Sequence, residues 1–352
     1  MFNIELQKSA DILIRDIFNV KKGESVVITA DTQSCMEVAE VLAASTYAAG
    51  GIPMVCIMPT QEGFGQDADS ELPVDALSGA LIGADVWIEI NYRGLLYSTP
   101  FVRAEAQNKK LRYMCIQGYD SDLMIRTIGS LNIVPLRAFM KKVTDITKNA
   151  KEMHVTTPAG TDVHFLIEPK HLTSCDCGEA NVPGIHMMIG QINVVPKFGS
   201  VNGTIVFDGT LTPPYGRQVT EPVKLTVKDS IINKIEGGPD AVEFEKWLKS
   251  FDDEGMFKLA HIAYGFNPGA KLTGNVVEDE RVWGSTEWGI GYVSPYDAPP
   301  AGQAAKSHCD GICLNSSVWL DDRQILKEGN VIDDELKKAI DAYYAQYGVK
   351  AE

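Results

Sequence analysis

Six histidines, His154, His164, His171, His186, His261 and His308, are the chain's whole supply of imidazole, so the place of each one is informative. Two sit among glycines and small residues, in Leu259-Ala260-His261-Ile262-Ala263-Tyr264-Gly265 and in Ser307-His308-Cys309-Asp310-Gly311. Side chains two apart on a strand share a face, so His308 and Asp310 point one way and Cys309 the other. Such a pair can chelate an ion. Two imidazoles and one carboxylate on one side of a metal, with positions left open, are the ligand set of Fe(II) enzymes that bind substrate and dioxygen together. The spacing alone leaves a second reading open, a hydrogen-bonded pair at a strand end. His154 and His164 fall inside strand patterns, where a buried histidine bonded to backbone is the commoner case, and His171 falls in a loop. Cys175-Asp176-Cys177 lacks a second thiol pair at metal-site spacing.

Side chains that must meet at one point need rigid elements behind them. Up to about residue 147 the chain alternates strand and helix patterns. The β-branched run Ser25-Val26-Val27-Ile28-Thr29 predicts a strand, Met36 to Ala49 predicts a helix stopped by Gly50-Gly51, and Pro53-Met54-Val55-Cys56-Ile57-Met58 predicts a further, buried strand. Asp85 to Ile90 and Leu111 to Ile116 repeat the theme. Strands separated by helical stretches predict βαβ units, hence an N-terminal doubly wound, Rossmann-like parallel-sheet domain over 1–147. It carries no Gly-x-Gly-x-x-Gly turn and no Walker-type Gly-Lys-Ser/Thr, so no phosphate cradle for a nucleotide. From 148 to 352 short strands with turn residues between them, such as 153–157, 203–207, 223–227 and 231–235, predict a β-rich α+β domain with one amphipathic helix at 240–251. The chemistry-bearing His261, His308 and Asp310 fall in this second domain.

Composition narrows the function classes. The 352 residues are 45% hydrophobic and 22% charged, an ordinary globular balance. A net charge of −15 with no basic patch argues against nucleic acid as a partner. No apolar run approaches the roughly 18 to 20 residues of a membrane span, and the start of the chain lacks the features of a secretory signal. With seven scattered cysteines, an odd number, the expectation is a cytoplasmic protein in a reducing compartment.

From Met153-His154-Val155 and Ala159-Gly160-Thr161-Asp162-Val163-His164, through His186, Gly203-Thr204-Ile205-Val206-Phe207-Asp208 and Ala260-His261-Ile262-Ala263-Tyr264-Gly265, to His308-Cys309-Asp310 and Trp319-Leu320-Asp321-Asp322, the chain resembles the 2,5-dihydroxypyridine 5,6-dioxygenases. These are ring-opening enzymes that share a fold with the aminopeptidase T/S metallopeptidases. The resemblance implies Fe(II) held by His261, His308 and Asp310, and a small aromatic substrate cleaved with dioxygen. His186 would take the proton of a substrate hydroxyl, a task that suits an imidazole titrating near neutrality; its other reading is a structural histidine beside a turn. It also implies a homo-oligomer. Tyr264 is expected at the substrate, in an aromatic wall with Trp283, Trp288 and Tyr292, although aromatics at strand spacing also build cores.

Two departures from the relatives matter. In Gly94-Leu95-Leu96-Tyr97-Ser98 the substrate-contacting histidine of the dioxygenases is replaced by Tyr97, which can donate to a ring oxygen but cannot act as a base near neutrality. The peptidases hold two metal ions with additional glutamates, because cations about 3.5 to 4 Å apart need bridging carboxylates. Here Gln191 and His261 stand at the two glutamate positions, and Arg281 to Trp288 offers no replacement histidine. The alternative function is a metal-dependent hydrolase on the same fold, an aminopeptidase or an amide or cyclic-amide hydrolase, using Zn or Mn. A third reading is a metal-free binding scaffold.

Overall fold

The computed structural model describes residues 3–345. It divides into two compact units, one formed by the chain up to Leu131 together with Gly178–Ile189, the other by Asn132–Cys177 and the chain from Gly190 onward.

The first unit is built on five parallel strands in the order Ile52–Met58, Ser25–Asp31, Val86–Glu89, Arg112–Cys115 and Gly184–Met187. Ser25–Asp31 is buried almost throughout, as a central parallel strand must be. The chain leaves it through helix Met36–Ala48 to the strand on one side, then recrosses through helix Val74–Ile82 to the strand on the other. Right-handed crossovers in opposite directions put those helices on opposite faces, which makes the sheet doubly wound. Trp87 anchors the core. It is fully buried, its Nε1 donates to the Thr29 hydroxyl at 2.9 Å, and its ring lies 4.2 Å from that of Tyr113. A side chain of that size buried in full contributes about 3 kcal/mol. Ser98 caps helix Thr99–Gln107, which opens on Pro100, and so ends the loop that carries Tyr97.

The second unit holds an eight-stranded and a seven-stranded sheet, each antiparallel throughout its pairings, with helices Ile133–Asn149, Pro239–Ser250 and Asp334–Ala345. This mixture of a parallel-sheet unit and a β-rich unit is the fold class expected. No described helix is long and apolar enough to cross a membrane.

The structure departs from expectation in two places. The units do not divide at 147/148. Helix Ile133–Asn149 packs with the second unit because its apolar stripe finds partners there: Phe139 stacks on Trp283 and meets Phe266 edge-on, and the Thr147 hydroxyl contacts the Tyr264 phenol at 3.2 Å. Residues 178–189 return to the first unit, where Gly184–Met187 adds the fifth parallel strand beside Arg112–Cys115 and places His186 opposite Met114. Strand Ile52–Met58, expected to be buried, lies instead at the open edge of its sheet, with Ile52, Met54, Val55 and Ile57 exposed.

Candidate metal centre

Three neighbouring strands of the seven-stranded sheet position the donors: Leu259–Gly265, Thr286–Val293 in the middle, and Gln303–Cys313. Gly289 on the middle strand lies opposite His261 on one side and Asp310 on the other, and Gly291 lies opposite His308. Pleating therefore turns His261, His308 and Asp310 to one face, together with Glu287, Gly289 and Gly291 of the middle strand. Gly289 leaves the space the His261 imidazole needs. A Cβ on Gly289 would sit 2.6 to 2.9 Å from three atoms of the His261 ring. Gly289→Ala is accordingly expected to displace that ring and weaken Fe(II) binding at least ~10-fold, the scale on which a ligand's supporting partner acts. Anaerobic equilibrium dialysis measures this; unchanged affinity with an unchanged circular dichroism spectrum would show that the ring does not depend on the gap.

The three donors have ligand atoms within 4.8 Å of one another, and among the described residues they form the one group of His, Cys, Asp and Glu that converges in this way. His308 Nε2 is 2.9 Å and His261 Nε2 3.6 Å from Asp310 Oδ1. Adjacent ligands of an octahedral ion with bonds of about 2.1 Å stand roughly 3 Å apart, so these separations suit a divalent cation. His308 is oriented from behind, because its Nδ1 lies 2.8 Å from the Tyr292 carbonyl oxygen. A carbonyl only accepts, so Nδ1 carries a hydrogen and Nε2 is the nitrogen turned to the cluster. The two imidazole rings are nearly parallel, 24° apart, with centroids at 5.0 Å.

Electrostatics prepare the set for a cation. Burial, with the nearby His308, pushes His261 down to about 4, which favours the neutral ring, the form that ligates a metal. Burial pushes the Asp310 carboxyl up, but its contacts with His308, with support from His261 and Glu287, prevail and hold it below the usual carboxylate range. Burial lowers His308, and the Asp310 charge and hydrogen bond outweigh that and raise it. Glu287, fully buried, has one oxygen 3.0 Å from His261 Nε2 and the other without a partner. Burial, followed by the charges of Asp310 and Glu280, raises it well above the ordinary range. An ionised aspartate, a neutral imidazole and a buried carboxyl with an unused oxygen fit a divalent cation.

Gln191 is committed elsewhere. Its Oε1 accepts from the fully buried Arg281 guanidinium at 2.7 Å and its amide donates to Glu280 at 3.0 Å, while Arg281 also donates to Glu280 at 2.8 Å. A neutral amide clasped by a guanidinium offers nothing to a second cation, so the bridging site of a dinuclear enzyme is not built here.

The other expected site residues do not join this group. Tyr264 is corrected: it is fully buried, its hydroxyl contacts Thr147 and the Met153 sulfur, and strand alternation turns it to the face opposite His261. Trp288 shares that opposite face and the core. His186 and Tyr97 belong to the first unit. His186 Nε2 lies 2.9 Å from the Val182 carbonyl oxygen, so Nε2 carries the hydrogen and Nδ1 is the free lone pair. Tyr97 is 38% exposed, stands at φ 66°, and packs edge-on against Phe64 and Phe101. A bulky residue in the left-handed region signals a constrained loop. His154 is paired to Asp162 at 2.8 Å and stacked on Trp319, and His164 is exposed, so neither is the buried, backbone-bonded histidine expected. His171 bonds the Pro196 carbonyl from a loop. Cys175 and Cys177 are not joined in a disulfide. Glu287 is the group that sequence reasoning missed, although the pattern Glu287-x-Gly289-x-Gly291 marks one strand face.

Comparison with known proteins gives a consistent picture. Residues 15–333 match the family described as 2,5-dihydroxypyridine 5,6-dioxygenase (NicX). A curated 2,5-dihydroxypyridine 5,6-dioxygenase of Pseudomonas putida is 25% identical over 206 residues, which span 55% of this chain and 58% of the relative. Its sequence match thus covers little more than half the length of either protein. The solved structure of 2,5-dihydroxypyridine dioxygenase from Pseudomonas putida superposes with a TM-score of 0.78 at 17% identity, covering 96% of this chain and 99% of that one. Wild-type AmpT from Thermus thermophilus superposes with a TM-score of 0.69 at 14% identity, covering 94% and 99%. At those identities the two structures establish a shared fold.

Proposed function

The chain belongs to the 2,5-dihydroxypyridine 5,6-dioxygenase family, and from that membership we propose that it is an Fe(II)-dependent dioxygenase opening the ring of a hydroxylated N-heteroaromatic compound similar to 2,5-dihydroxypyridine. The observation that carries this reading is the convergence of His261, His308 and Asp310 on one sheet face in a chain of this family.

Bound there, Fe(II) would supply Lewis acidity toward a ring oxygen and the one-electron chemistry that dioxygen requires. The protein's own groups do the rest. Tyr292, through its carbonyl, fixes which nitrogen of His308 faces the site. Asp310 contributes the negative charge, and the buried Glu287 carboxyl lies beside it. His186 takes the proton of the substrate hydroxyl on Nδ1, since its Nε2 is occupied by the Val182 carbonyl. Tyr97 donates a hydrogen bond where the relatives place histidine, which directs this chain toward a ring oxygen that needs a donor and no base. Water exclusion follows from burial: Asp310 retains 13% and His261 16% of its side-chain exposure.

Isotopic oxygen tests the reaction class. With labelled dioxygen and 2,5-dihydroxypyridine, the ring-opened product is expected to carry both labelled atoms. Label entering only from labelled water would overturn the reading and establish a hydrolase.

A further inference from the structure

Tyr97 stands in a backbone conformation that a tyrosine does not adopt unaided. The Ser98 amide donates to the Leu95 carbonyl at 3.1 Å and closes a four-residue turn, in which Tyr97 is the third residue at φ 66° while Leu96 stays at negative φ. That position calls for glycine or asparagine, because a Cβ in the left-handed region crowds its own backbone. A bulky residue persists there only where its surroundings over-determine it, and strain held in this way clusters at ligand sites.

Side chains from four places in the first unit hold the backbone on both sides of the turn. The fully buried Glu89 accepts from the Leu95 amide at 2.8 Å through Oε1 and from the Tyr113 hydroxyl at 2.6 Å through Oε2. Gln61, equally buried, donates to the carbonyls of Arg93 and Gly94 at 2.8 and 3.2 Å. Asp31 accepts from the Arg93 amide at 3.1 Å and Asp69 from the Thr99 amide at 2.9 Å. Leu95 is gripped at both ends, since its carbonyl takes the Ser98 hydroxyl at 2.7 Å as well as the Ser98 amide. Holding a carboxyl in the core with neutral donors is costly: burial pushes Glu89 up to about 7, against the lowering pull of Tyr113 and Leu95. The loop also has a telling place. It follows the carboxyl end of Val86–Glu89, beside the carboxyl end of Ser25–Asp31, from which the sheet grows first to one side and then to the other. Open α/β sheets bind their ligands in the crevice at that point.

We propose that Glu89 and Gln61 are positioning residues, two buried side chains that hold the strained turn 95–98 so that Tyr97 stands as a fixed hydrogen-bond donor to a ring oxygen of the substrate. The inference rests on the substrate class proposed above. Glu89 and Gln61 act through the turn, and a donor fixed in advance loses little freedom on binding, so their contribution appears in substrate affinity.

The experiment uses the Fe(II)-loaded, full-length protein and 2,5-dihydroxypyridine, with KM and kcat read from oxygen uptake. Tyr97→Phe is expected to raise KM about 3- to 10-fold, the worth of one neutral hydrogen bond, with kcat within about twofold of wild type. Glu89→Leu should raise KM by the same factor at unchanged iron content, and the double variant no further, because the turn and its donor form one device. Glu89→Gln, which keeps an acceptor for the Leu95 amide, should stay at the wild-type KM. Losses that multiply in the double variant overturn the proposal, and so does Glu89→Leu with a wild-type KM. If Glu89→Leu fails to fold, Gln61→Leu takes its place with the same expectations. Hydrogen exchange over residues 93–99 separates the turn from the substrate. Faster exchange in the leucine variant, with no ring consumed by the wild type, would support the positioning and contradict the substrate class; exchange as slow as in the wild type overturns the positioning whatever the ring.

Discussion

Asp310→Ala is expected to yield a folded protein that no longer retains a divalent cation, and His308→Ala the same. Removing a group that merely supports a ligand costs roughly 10- to 100-fold in metal affinity, and removing one of three donors costs more. Asp310 contributes most, because it supplies the charge and lies 2.9 Å and 3.6 Å from the two imidazoles. The fold should tolerate its loss. Burial, with the Asp310 charge adding to it, raises the carboxyls of Glu287 and Glu280, so deleting Asp310 takes an unfavourable charge away from both while it removes a hydrogen bond. Metal analysis after dialysis, with thermal melting as a control, measures both effects. Stoichiometric iron in both variants would end the three-donor account.

His186→Ala should behave in the opposite way, keeping its metal and losing turnover by about two to four powers of ten, the range for a general base. The two results are separable because His186 lies on the parallel sheet of the first unit and the three donors on an antiparallel sheet of the second. A base has a signature that a structural residue lacks: the acidic limb of the pH profile should flatten in the variant. Turnover near the wild-type level would reduce His186 to a residue that bonds Val182.

Much of this architecture was legible locally. The strand runs at 25–29 and 85–90, and the Gly50-Gly51 stop after the first crossover helix, are short-range signals, and the elements lie where they predict. The two-residue period that puts His308 and Asp310 on one face was equally decisive for Tyr264, which is three residues from His261 and therefore turns into the core. Long-range pairing was not legible. Nothing within 178–189 shows that these residues rejoin the first sheet, and an apolar run such as 53–58 reads alike whether it is central or at an edge, since only its neighbours decide. Glu287 lies in a stretch without histidine, and its mark is the neighbouring Gly289, which makes room for the His261 ring on the same face.

The central claim is tested most directly on protein purified without added metal, reconstituted anaerobically with Fe(II), and mixed with 2,5-dihydroxypyridine in an oxygen electrode while the ring's ultraviolet absorbance is followed. The account predicts oxygen uptake stoichiometric with loss of the aromatic band. Iron bound at His261, His308 and Asp310 with neither oxygen consumed nor absorbance lost would contradict it.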